Sequence, residues 1–123
     1  MENKVQFVME EAIKVLLKRI QDEVPEKGNF EQKTVSFRPQ YFGGELENAY
    51  TTEMGLGIEK DGRQEEDRWL FAAVQLPNSG YVRMTYLQKG TNREIINYLN
   101  RPECWKEIKE TFLQLDKNAR RKD

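Results

Sequence analysis

The feature that most constrains this chain is a change of hydrophobic period, from helical to strand-like and back. Over Asn3 to Val24, the residues Val5, Val8, Met9, Ala12, Ile13, Leu16, Ile20 and Val24 recur at spacings of three and four. Glu10, Glu11, Lys14, Lys18, Arg19 and Asp22 fill the other side, so the pattern predicts an amphipathic helix, ended by Pro25 and Gly28. Val15 and Leu17 widen its apolar stripe, which implies more than one neighbour. From Lys33 the period falls to two. Thr34, Ser36 and Arg38 alternate with Val35 and Phe37, and Pro39 stops the run.

A second strand is expected over Tyr50 to Lys60, with Met54, Leu56 and Ile58 on one face. Gly55 and Gly57 leave the other face bare, so something must pack there closely or the strand must bend. Trp69 to Leu76 opens with apolar residues on both faces, which reads as a central strand. Pro77-Asn78-Ser79-Gly80 is a tight turn, and Tyr81 to Gln88 returns as an antiparallel partner with Val82, Met84 and Tyr86 on one face. Gly90 breaks that strand.

Thr91-Asn92-Arg93-Glu94 then has the form of a capping box ahead of Ile95, Ile96, Tyr98 and Leu99, so a short helix follows. Pro102 suits the first turn of a last helix carrying Trp105, Ile108, Phe112 and Leu115. The order predicts an α+β fold: an N-terminal amphipathic helix, an antiparallel sheet of about four strands and two C-terminal helices. Residues 1–116 are expected to form a single domain, with 117–123 a frayed, polar and basic tail.

The chain has 123 residues, enough to bury roughly two-thirds of the surface it exposes when unfolded. Hydrophobic residues make up 37% and include six Phe, five Tyr and two Trp, so a core is attainable without metal or disulfide. Charged residues reach 33% and mean hydropathy is −0.86, which puts that core inside a charged shell. Cys104 is the only cysteine, so no intrachain disulfide can form. The N-terminal region lacks the uninterrupted apolar core of a secretion signal, and no stretch is long enough to span a bilayer. A cytoplasmic location without membrane contact is the expectation.

The chemistry is bounded chiefly by the absence of histidine. That removes the usual proton carrier near neutral pH and the usual activator of serine or cysteine nucleophiles. One cysteine without histidine cannot build the common structural zinc sets, so no metal and no cofactor is expected. Cys104 falls in the first turn of a helix, where a thiol can be activated, but a lone cytosolic cysteine is more often a small buried hydrophobe. Gly55 and Gly57 do not complete a dinucleotide-binding pattern, and no P-loop ending is present. Glu53 and Glu59 share a strand face but lie roughly 20 Å apart at about 3.3 Å per residue, too far to act on one bond.

Net charge is −1, which argues against nucleic acid, although the four bases between Lys117 and Lys122 are a local exception. These exclusions favour a non-enzymatic protein-binding module, with a bacterial immunity or secretion-accessory role as the sharper expectation from size and class alone. Exposed aromatics and acids would carry it: Tyr41, Phe42, Tyr50, Glu53, Glu65, Glu66, Asp67 and Tyr81. The partner would be another protein. Homodimerisation through the first helix or the hairpin edge is compatible with it. Two alternatives stand beside it. One is a histidine-independent enzyme drawing on Glu53, Arg38, Arg68, Arg83, Tyr81 and Tyr86; the other is nucleic-acid binding through sheet aromatics and the basic tail.

Overall fold

The computed structural model describes residues 2–24, 32–38, 42, 44–47, 49, 51–58, 68–76 and 82–120. The elements run α1 (Glu2–Glu23), β1 (Lys33–Phe37), β2 (Thr51–Ile58), β3 (Arg68–Gln75), β4 (Val82–Gly90), α2 (Asn92–Leu99) and α3 (Cys104–Arg120). The strands form an antiparallel sheet in the order β1-β2-β3-β4, so β1 and β4 are its edges. The α+β architecture expected from the periods is the one observed.

The three helices pack on one face of the sheet. Val35, Phe37, Met54, Leu56, Leu70, Ala72 and Val74 meet Met9, Leu16, Ile20, Ile95, Ile108 and Phe112 in one buried cluster. Phe37 and Phe42 both lie edge-on to Phe112 and are tilted toward each other in this core, with ring centroids 5.3 to 5.9 Å apart. Thr52 is also buried on this face, and its hydroxyl donates to Phe37 O at 2.7 Å. That bond removes the cost of an unpaired hydroxyl in the interior.

The capping box forms as the sequence requires. Thr91 Oγ1 accepts from Glu94 N at 3.2 Å, and the Glu94 carboxylate accepts from Thr91 N at 2.8 Å. Gly90, at φ 147°, is where the strand gives way to this cap, and any side chain there would collide with the Glu94 carboxylate. β4 also carries a bulge. Trp69 pairs with Lys89 and Leu70 with Gln88, whereas Phe71 pairs with Tyr86, so Leu87 is the extra residue and tucks against the core.

Two local expectations change. Pro102 lies in the turn before α3 instead of in its first turn, because Glu103 takes a left-handed φ of 61° and interrupts helical geometry. The last helix runs to Arg120. Asp116 is buried and accepts from Glu47 N at 2.8 Å and Ala49 N at 2.7 Å, which pins the approach to β2 against α3. β3 opens at Arg68, one residue before the strand expected from Trp69; the Arg68 side chain is fully buried, and its Nε donates to Asn92 Oδ1 at 3.2 Å.

Candidate interaction surfaces

The face of the sheet turned away from the helices is built by Thr34 and Ser36 of β1, the odd positions of β2 and β3, and Val82, Met84 and Tyr86 of β4. Thr34 pairs with Gly55, Gly55 with Phe71, and Phe71 with Tyr86; Ser36, Glu53, Ala73 and Met84 form the adjacent row. The glycines expected to leave a bare strip are roofed. A Cβ at Gly57 would come within 2.7 Å of the Trp69 indole, and one at Gly55 within 2.7 Å of Phe71 Cζ and of Lys33 O. Trp69 stands 5.1 Å from Phe71 and 5.4 Å from Tyr86 between ring centroids, and Lys89 Nζ sits 5.2 Å over the Tyr86 ring. The two glycines therefore make room for aromatic rings carried by the neighbouring strand.

The cover stops at β4. Val82, Met84 and Tyr86 lie on this same face and are 57%, 48% and 51% exposed. Arg83 and Thr85, on the helix side of the strand, are exposed as well. Five consecutive residues of an edge strand are thus open on both faces, three of them large and apolar. Edge strands of soluble proteins are commonly blunted by charge, proline or a covering element.

A second surface lies at the opposite edge. A groove of about 610 Å³ runs between α1 and β1, lined on the helix by Phe7, Val8, Ala12 and Val15 and on the strand by Thr34 to Phe37. Lys4, Glu11 and Arg19 complete its lining. Phe7 is 63% exposed and Val15 44%, so the wide stripe seen in the sequence is left partly in water. Arg19 reaches across to donate from Nη1 to Thr34 O.

Of the residues expected to form a binding surface, Phe42 and Glu53 lie among the described residues, and they do not share a surface. Phe42, expected at the surface, is 1% exposed and belongs to the aromatic core, because Phe37 and Phe112 enclose it. Glu53 is half-buried on the outer face, opposite Ser36 and Ala73. Tyr41, Tyr50, Glu65, Glu66, Asp67 and Tyr81 lie outside the described residues, as do Glu59 and the charged loop around Asp61. The residues named for a histidine-independent enzyme are dispersed: Arg68 is in the core, Arg83 projects from the face opposite Glu53, and Arg38 is exposed beyond β1.

Cys104 is buried at the start of α3, and its thiol donates to Leu99 O at 3.4 Å. Burial pushes its pKa up, against the pull of Arg101, which is the opposite of an activated nucleophile. Among the described residues no cluster of three or more His, Cys, Asp and Glu side chains could hold a metal, and no helix is long and apolar enough to cross a membrane. Sequence reasoning named the first helix and the hairpin edge as dimer surfaces but did not single out the outer β4 row or the α1–β1 groove. Val82, Met84 and Tyr86 were recognised as one face, but alternation alone does not say which side the helices occupy. No protein-family model, curated protein or solved structure matches this chain.

Proposed function

We propose that this chain is a protein-binding module whose contact surface is the outer sheet face along β4, and that it works by masking a folded partner, as an immunity or secretion-accessory protein does. The observation that carries the reading is the exposed row Val82, Met84 and Tyr86, continuous with the Trp69–Phe71 ring cluster. Apolar side chains aligned on one strand gain by leaving water together, and aromatic and methionine residues are enriched in the cores of protein interfaces. Arg83 and Lys89 on the same strand supply a polar rim.

The arrangement favours a protein over single-stranded nucleic acid. Phe71 is 2% exposed and packed against Trp69, and Lys89 lies over the Tyr86 ring, so the cluster is not a row of open ring faces for stacking bases. The test is capture from the native host with wild type and Met84→Lys side by side. The reading predicts a stoichiometric protein bound by wild type and lost by a variant of unchanged melting temperature. Absence of such a partner, or its full retention by Met84→Lys, rejects the reading.

A further inference from the structure

α1 buries Val5, Met9, Ile13, Leu16 and Ile20 against the core, yet Phe7 and Val15, on its flank beside β1, remain exposed. Beside that flank runs β1, the outermost strand on this side among the described residues. Thr34 O is engaged by Arg19 rather than by β2. In an antiparallel ladder successive residues point their N–H and C=O groups alternately to either side. Thr34 and Ser36 therefore address the groove, while Lys33, Val35 and Phe37 address β2.

We infer that the α1–β1 groove receives an extended segment of another protein, which adds antiparallel to β1 as a fifth strand and carries a carboxylate at its C-terminal end. An added strand would lie about 4.8 Å from β1, inside the groove. Its alternate side chains would pack on Phe7 and Val15, which the four-stranded sheet leaves exposed, and on the partly buried Val8 and Ala12 between them. Its backbone would take over Thr34 O, releasing the Arg19 guanidinium. Antiparallel addition brings the C-terminal end of the segment to the Thr34 end of β1, where that guanidinium stands. The charge agrees. Lys4 and Arg19 outnumber Glu11 in the lining, and Glu11 already lies 3.5 Å from Lys14 Nζ. This surface is at the edge opposite the β4 row, so the inference goes beyond the proposed function and does not depend on it.

The probe is a fluorescein-labelled heptapeptide, Thr-Val-Thr-Val-Thr-Val-Glu, compared with an amidated version ending in Gln. Ser36→Pro is the decisive variant, because it deletes an outward N–H without touching the ladder to β2. Fluorescence anisotropy is expected to show saturable binding of the acidic peptide, weakened on the order of tenfold by each of Ser36→Pro, Phe7→Ser and Arg19→Glu. The amidated Gln peptide should bind wild type more weakly and be indifferent to Arg19→Glu. Melting temperatures should hold, and Met84→Lys should bind the peptide like wild type, which separates this site from the β4 surface. No saturation up to about 1 mM, a limit of about −4 kcal/mol, would overturn the inference, as would binding that Ser36→Pro leaves unchanged. A dimer in light scattering that Ser36→Pro dissolves would also overturn it, since a second copy would then fill the groove.

Discussion

The indole of Trp69 occupies the space that a side chain at Gly57 would need, with Cζ2 only 2.7 Å from the position of the missing Cβ. The two residues are register partners on adjacent strands, so the small one makes the site for the large one. Gly57→Ala should therefore overpack the outer face and cost about 1–3 kcal/mol of stability, measured by urea unfolding. Displacement of the ring should also shift the tryptophan emission. A change below about 0.5 kcal/mol, the ordinary scatter of surface substitutions, would show that the ring is not confined there.

Asp116 ties α3 to the segment before β2 through two backbone donors, Glu47 N and Ala49 N. Asp116→Ala leaves both without this acceptor and should destabilise the fold by about 2 kcal/mol, whereas Asp116→Asn, which keeps one acceptor oxygen, should lose about half as much. Hydrogen exchange at Glu47 and Ala49 should accelerate in both variants.

Arg68 and Asn92 form a buried polar pair at the junction of β3 and α2, 3.2 Å apart. Asn92→Ala should cost about 1–3 kcal/mol by removing an acceptor from a buried guanidinium. Adding Arg68→Met should recover part of that loss, because an apolar side chain leaves no charge to satisfy. A double-mutant cycle in which the two effects simply add would refute the coupling.

Tyr98 is 4% exposed, and its hydroxyl is buried with no hydrogen-bonding partner. Burial, reinforced by the Glu107 charge, pushes the phenol above its ordinary value of 10.0. The unfolded chain thus releases this proton first. The stabilising contribution is fully present below about pH 10 and is lost as pH rises from there toward the folded value. Tyr98→Phe should flatten the alkaline limb of a stability profile and be neutral or slightly stabilising at pH 7, since it removes an unpaired hydroxyl while leaving a ring under Arg101. An unchanged alkaline limb would contradict this assignment.

Periodic features of the fold were legible in the sequence, and aperiodic ones were not. The α1 stripe, the Trp69–Val74 central strand and the Thr91–Glu94 cap each follow from a local rule, so local residues were enough. Val15 gave an early sign of the groove, because a stripe too wide for one neighbour implies a second. Phe42 had no such signal: it sits outside any strand or long helix, and only its enclosure by Phe37 and Phe112 makes it core. Nothing in the local sequence marks Asp116 or Arg68 as buried, since charged residues are mostly exposed, and only their tertiary partners account for it. The candidate surface was half visible. Alternation grouped Val82, Met84 and Tyr86, but which face the helices cover is decided by packing between distant segments.

The most direct measurement of the functional claim is amide hydrogen exchange over Val82 to Tyr86, in the free chain and in the complex captured from its host. The account predicts fast exchange at the outward amides of this edge strand in the free protein and strong protection there on binding. Unchanged exchange along β4, with protection confined to other elements of the complex, would contradict it.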